Sequence, residues 1–108
     1  MINKALSYIG LAKKAGRVST GAFLTERLVK SGRAELVIVA CDASLRTKKD
    51  MNNLCRSGNV ELIEHFQKDE LGELFSKEGI SAIGISDNNF KGAILRAISE
   101  TEVINGQN

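Results

Sequence analysis

Six consecutive apolar residues, Leu36–Cys41 (LVIVAC), constrain this chain more than any other segment. The run is bounded by Glu35 and Asp42, is rich in β-branched residues and is too short for a helix. Only a strand covered on both faces can bury it, so Glu35–Cys41 is predicted as the central strand of a sheet with layers packed above and below.

The flanking segments supply those layers. From Asn3 to Ala15, Ala5, Leu6, Ile9 and Ala12 recur at helical spacing, with Lys13 and Lys14 in the last turn and Gly16 just beyond. Arg17–Thr20 is a short β-prone stretch ending at Gly21. Ala22–Lys30 then reads as a helix with Leu24, Leu28 and Val29 inward, stopped by Ser31-Gly32. Asp42-Ala43-Ser44 caps a helix from Leu45 to Arg56, expected to bury Leu45, Met51, Leu54 and Cys55 and to keep its other face basic. Val60–Phe66 is a strand candidate, Asp69–Ser76 a short helix with Leu71, Leu74 and Phe75 inward, and Ser81–Ser86 a further buried strand. Asp87 or Asn88 caps the last helix, where Phe90, Ala93, Ile94, Ala97 and Ile98 repeat at three and four.

Strands and helices thus alternate four times after the opening helix. The expected fold class is α/β, a three-layer α/β/α sandwich with a four-stranded mixed sheet whose crossovers set the strands they join parallel. A chain of 108 residues suffices for one core. One domain is expected over 1–104, followed by a frayed tail at 105–108.

Several function classes drop out early. No apolar run approaches the ~18 residues of a membrane span, and Met1–Lys14 lacks a secretory core, so a cytoplasmic address and no membrane partner are expected. Cys41 and Cys55 lack CxxC spacing and the only histidine is His65, which argues against structural zinc and a disulfide scaffold. His65 has no partner at catalytic spacing. Cys41, at the carboxyl edge of the central strand, reads as a small hydrophobe before a reactive thiol, and Cys55 as core. Asp69, Glu70 and Glu73 suit the first turn of a helix and need no catalytic role. The glycines form neither GxGxxG nor GxxxxGK[ST], so dinucleotide and P-loop sites are disfavoured. No enzyme activity and no cofactor are expected.

Charge gives the positive indication. Residues 1–58 carry eleven bases and four acids, a net +7, whereas residues 59–108 carry a net −5 within an overall +2. A bipolar small domain can turn one basic face to an anionic partner. Gly21 ends a strand and opens a helix, so neighbouring backbone N–H groups point outward from a positive helix end. Arg27 lies on the second turn of that helix, and Lys13, Lys14, Arg17, Lys30, Lys48 and Lys49 are expected to ring the tip. Phosphate backbone is the matching ligand.

The runs GLAKKAGRVSTG (Gly10–Gly21), LVIVACDAS (Leu36–Ser44) with TKK (Thr47–Lys49), Leu71-Gly72 and AIGISDNNF (Ala82–Phe90) resemble the kink-turn RNA-binding ribosomal protein superfamily of the L-seven-Ae and L-thirty-e type. Similarity spans about residues 4–98, and is greatest to the small bacterial members. The resemblance implies an α/β/α sandwich and binding without catalysis. Its RNA is a sharply bent internal loop whose sheared G·A pairs open a groove that A-form RNA keeps too narrow to read. By that likeness Ser19, Thr20, Gly21, Ala22, Phe23 and Leu24 lie along the RNA, with Arg27 one turn inside. The loop Lys77–Ile80, which includes Gly79, closes over an extruded nucleotide, and Lys48 is a further contact. Ribosome association and a monomer are also implied.

One departure stands out. Where the best-known members carry an Asn-Glu pair that hydrogen-bonds guanines, this chain has Phe23-Leu24, whose side chains have no polar atoms. Phe23 can stack on a base or pack on neighbouring leucines. Two further readings stay open: a protein-interaction adaptor docking on Phe23-Leu24, and a small-molecule or redox site at Cys41 and Asp42.

Overall fold

The computed structural model describes residues 3–106, with side chains to Thr101. Five helices and four strands alternate: α1 (Lys4–Lys14), β1 (Val18–Thr20), α2 (Ala22–Lys30), β2 (Leu36–Val39), α3 (Leu45–Gly58), β3 (Glu61–Glu64), α4 (Lys68–Leu74), β4 (Ala82–Ile85) and α5 (Asn88–Gly106). The bounds of α5 take in Asn105 and Gly106, and the remainder of the expected tail lies outside the described residues.

The four strands form one mixed sheet in the order β1-β4-β2-β3. β2 behaves as the apolar run requires: it lies between two partners and all four of its residues are fully buried. The mixed sheet is the one expected, and the crossovers through α2 and α3 join strands of the same direction; only the crossover through α4 departs from the expectation of parallel strands. β4 is antiparallel to both β1 and β2, and only β2 and β3 pair in parallel.

The length of α4 explains the reversal. Seven residues rise only about 10 Å, and the chain then doubles back, with Lys77 N–H donating to the Gly72 carbonyl at 2.9 Å and Ile80 N–H to the Lys68 carbonyl at 3.1 Å. That return brings the chain to the edge from which α4 departed. It enters β4 there, against the direction of its neighbours.

Register assigns the faces. Val37, Ser19 and Gly84 are paired across β2, β1 and β4, and α2 lands on this face, with Leu28 and Thr25 closest to Gly84. α3 packs beside α2, over β2 and β3. Ile83, Ile85, Leu36 and Ile38 point to the other face, where α1 and α5 pack on each other and α4 adjoins α1. The buried residues of both faces form one core cluster, within which Ile9, Leu36, Ile38, Leu71, Ile83 and Ile94 are fully buried. Cys55 belongs to it, and burial pushes its thiol pKa up.

Three expectations of burial fail at the sheet's edge. Leu45 is 84% exposed and Leu24 45% exposed. Leu45 is the first residue after the Ser44 N-cap and stands about 120° around the helix from Met51, off the buried stripe. Leu24, in the first turn of α2, overhangs the sheet, and Thr25 takes the buried position. Cys41 is exposed because β2 stops at Val39 and the chain turns outward after Ala40.

Two glycines are held by geometry. Gly21 has φ 88° and ψ 160°, a region open essentially only to glycine, while a Cβ at Gly72 would stand 2.5 Å from the Lys77 carbonyl oxygen. Gly21→Ala is expected to cost about 1–3 kcal/mol in urea unfolding through backbone strain, since nothing lies near its Cβ. Gly72→Ala is expected to cost about 1–3 kcal/mol by overpacking and to raise hydrogen exchange at the Lys77 and Ile80 amides.

Candidate functional site

β1, β2 and β3 run the same way and β4 opposes them, so three carboxyl ends and one amino end share a single edge of the sheet. α2, α3 and α4 begin at this edge, and the 75–81 loop returns to it. Backbone hydrogen bonds tie the segments together. Gly21 N–H donates to Ala82 O at 2.8 Å, Ala40 N–H to Ser81 O at 2.9 Å, and Cys41 N–H to Phe66 O at 2.8 Å. The Asp42 carboxylate accepts from Lys68 N–H at 2.8 Å. Segments far apart in sequence, the α2 tip and the 77–80 loop among them, are thus fixed at one rim.

The α2 tip differs from the other helix starts. Asn3 caps α1, Ser44 caps α3 and Asp87 accepts from Phe90 N–H in α5, while the Glu70 carboxylate accepts from Gln67 N–H at the start of α4. Gly21 caps α2 and has no side chain to do so. Its own N–H is spent on β4 and its carbonyl accepts from Thr25 N–H at 3.0 Å. The first amides, on Ala22, Phe23 and Leu24, gain no side-chain acceptor and carry the positive end of the helix. Phe23 is 69% exposed beside them, and the Arg27 guanidinium carbon stands over its ring, 5.8 Å from the centroid.

The sequence-derived site residues fall into three groups. Ser19 and Thr20 are half-buried in β1; Ala22 is half-buried, and Phe23, Leu24 and Arg27 are exposed at the tip. Lys77 and Gly79 are exposed on the returning loop, but the Ile80 side chain is buried in the core, so at this position the rim offers backbone alone. Lys48 lies on the β3 side of the sheet, one-quarter exposed and paired with Glu64 at 3.2 Å.

The expected ring of cations is not what the fold assembles. Lys30 pairs with Glu26 at 3.3 Å at the far end of α2. It lines a cavity of about 570 Å³ between α2 and α3, with Val29, Asp50 and Leu54. Lys13 donates to the Leu74 carbonyl at 3.0 Å and stands over the Phe75 ring. Arg17 lies at the opposite end of β1, where its carbonyl accepts from Ser86 N–H. Positive charge on the elements that meet at the rim comes from Arg27 on α2, Arg46, Lys48 and Lys49 at the start of α3, Lys68 on α4 and Lys77 on the returning loop, with the helix amides between them.

Lys68 is the residue that sequence reasoning did not assign to this rim, and Asp42, read there with Cys41 as a small-molecule or redox site, instead accepts the first amide of α4. An acidic residue just past a buried strand was the available signal, and its capping role went to Ser44 instead. Among the described residues no three His, Cys, Asp or Glu side chains converge to hold a metal ion. Nor is any described helix long and apolar enough to cross a membrane.

Comparison with known proteins converges on the same fold. The family model described as "Ribosomal protein L7Ae/L30e/S12e/Gadd45 family" matches residues 3–94. The chain is 37% identical over 87 residues to an Enterococcus faecium protein named RNA-binding protein YlxQ, covering 81% of this chain and 84% of that one. It is 28% identical to the protein of the same name from Bacillus subtilis (strain 168), covering 81% and 87%. A solved Bacillus halodurans protein of unknown function superposes with a TM-score of 0.84 at 30% identity, covering 91% of this chain and 99% of that one. The Giardia lamblia 15.5kD RNA binding protein shares the fold, with a TM-score of 0.74 at 19% identity over 93% and 86% of the two chains. With the family model matching most of its length, the chain belongs to the L7Ae/L30e/S12e/Gadd45 family of ribosomal-type proteins.

Proposed function

We propose that this protein is a non-enzymatic, cytoplasmic RNA-binding protein that grips a kink-turn or similar internal loop, on ribosomal RNA or a leader RNA, as a monomer. The observation that carries the reading is the bare amino end of α2, set at one rim with exposed Phe23, Arg27 and the 77–80 loop. The two relatives named as RNA-binding proteins support it.

The mechanism follows from what RNA hides and what this rim offers. A regular A-form duplex keeps its major groove deep and narrow, whereas an unpaired or sheared internal loop widens it enough for a helix end. The amides of Ala22, Phe23 and Leu24 are hydrogen-bond donors aimed outward, matched to phosphate or sugar oxygens. Arg27 adds a fixed cation one turn in. Lys77 and Gly79 lie on the loop that closes from the other side. Lys48 joins by exchanging Glu64 for phosphate, a partly exposed pair worth on the order of 1 kcal/mol. Because Phe23 and Leu24 have no edge-reading groups, recognition here rests on shape and backbone contacts. Guanine-specific hydrogen bonding from these side chains is absent.

A protein-docking role on the same scaffold is the second reading, favoured by the exposure of Phe23, Leu24 and Leu45. Titration of a kink-turn RNA and of a fully paired duplex of equal length separates the two. The RNA reading expects preference for the kink-turn and a log-linear loss of affinity between 50 and 200 mM salt, to be checked by filter binding at roughly those concentrations. Arg27→Ala is expected to weaken binding about tenfold and to lower the salt slope by about one. Lys91→Ala is expected to change little, since Lys91 pairs with Glu61 at the opposite end of the sheet. Equal losses from the two changes would place the interface elsewhere.

A further inference from the structure

Five aromatic side chains are present in this chain, and only Phe23 is exposed. Phe66 is buried, while Tyr8, Phe75 and Phe90 are half-buried and packed on the core. Phe23 lies on the first turn of α2, and Arg27, four residues on, sets its guanidinium over the ring. An accessible π face held beside a cation matches the two halves of a nucleotide, a flat base and a phosphate. An apolar protein surface is a poorer match, because covering this spot would desolvate Arg27 and the amides without giving them acceptors.

We infer that Phe23 is a stacking platform for one unpaired nucleobase, with Arg27 bracing the ring and holding the adjoining phosphate. The inference rests on the RNA-binding reading and deepens it. The feature recognised is a splayed, stackable base, accepted by its face and with little regard to which base it is, since neither Phe23 nor Leu24 can bond to a base edge.

The test uses the full chain and a kink-turn RNA with 2-aminopurine placed in turn at each unpaired position. One position is expected to change fluorescence on binding. An abasic residue at that position should cost about 5- to 150-fold in affinity, and exchange among the four bases should cost far less. Phe23→Ala is expected to produce a similar loss and to abolish the signal, while Phe23→Trp retains both. Undiminished binding and signal with Phe23→Ala would overturn the stacking role, leaving the RNA reading intact and Phe23-Leu24 available to a protein. Base exchange as costly as base removal would overturn recognition by the face. Failure of the unaltered chain to bind any of these RNAs would remove both readings together.

Discussion

The doubling back of the chain between α4 and β4 is the constraint on which the rest of the molecule depends. Gly72 lets the Lys77 carbonyl approach where any side chain would obstruct it, and the Ile80 amide closes the return on Lys68. Because the chain comes back to its starting edge, β4 is inserted between β1 and β2 against their direction. The same return leaves Lys77 and Gly79 on the rim where α2 begins. Fold topology and site geometry therefore have one origin, a helix too short to cross the sheet.

The α2 tip shows how a fold can leave a helix end unoccupied by its own groups. A side-chain cap typically contributes about 1 kcal/mol to a helix, and α1 and α3 take it from Asn3 and Ser44. Gly21 forgoes it. What the glycine provides is the turn from β1 into α2, with its amide committed to Ala82 and its carbonyl to Thr25. The next three amides face outward. Beneath them, Thr25 is fully buried with its hydroxyl lacking a hydrogen-bond partner, so the first turn is seated on the sheet by packing.

Much of this was legible in the sequence because it depends on local rules. The apolar run LVIVAC located the central strand, the Gly21 junction located the exposed helix end, and the likeness across Gly10–Phe90 pointed to the family. The direction of β4 was not legible, because it turns on how far α4 reaches and on a hydrogen bond from Ile80 to a residue twelve positions earlier. The misplaced side chains have a shared cause. Leu45, Leu24 and Cys41 stand at element ends, where periodicity no longer reports burial, and Ile80 turned inward because its loop is the cover of the core. Lys48 was read as a free cation because its acidic partner, Glu64, lies on β3 and becomes visible only when the fold is known, whereas Glu26 stands four residues before Lys30 on α2, a spacing the sequence already displayed.

The outer strands carry a consequence for the life of the protein in a crowded cell. A sheet of four strands has two open borders, each a template on which another chain could continue the hydrogen-bond ladder. Here one border is β1, only three residues long, and the other is β3, which displays Glu61 and Glu64 to solvent with a lysine drawn to each. A short ladder and a charged one both discourage strand addition. Cross-β growth finds little foothold on the folded molecule, even though its most aggregation-prone stretch, LVIVAC, lies only one strand in from that charged border.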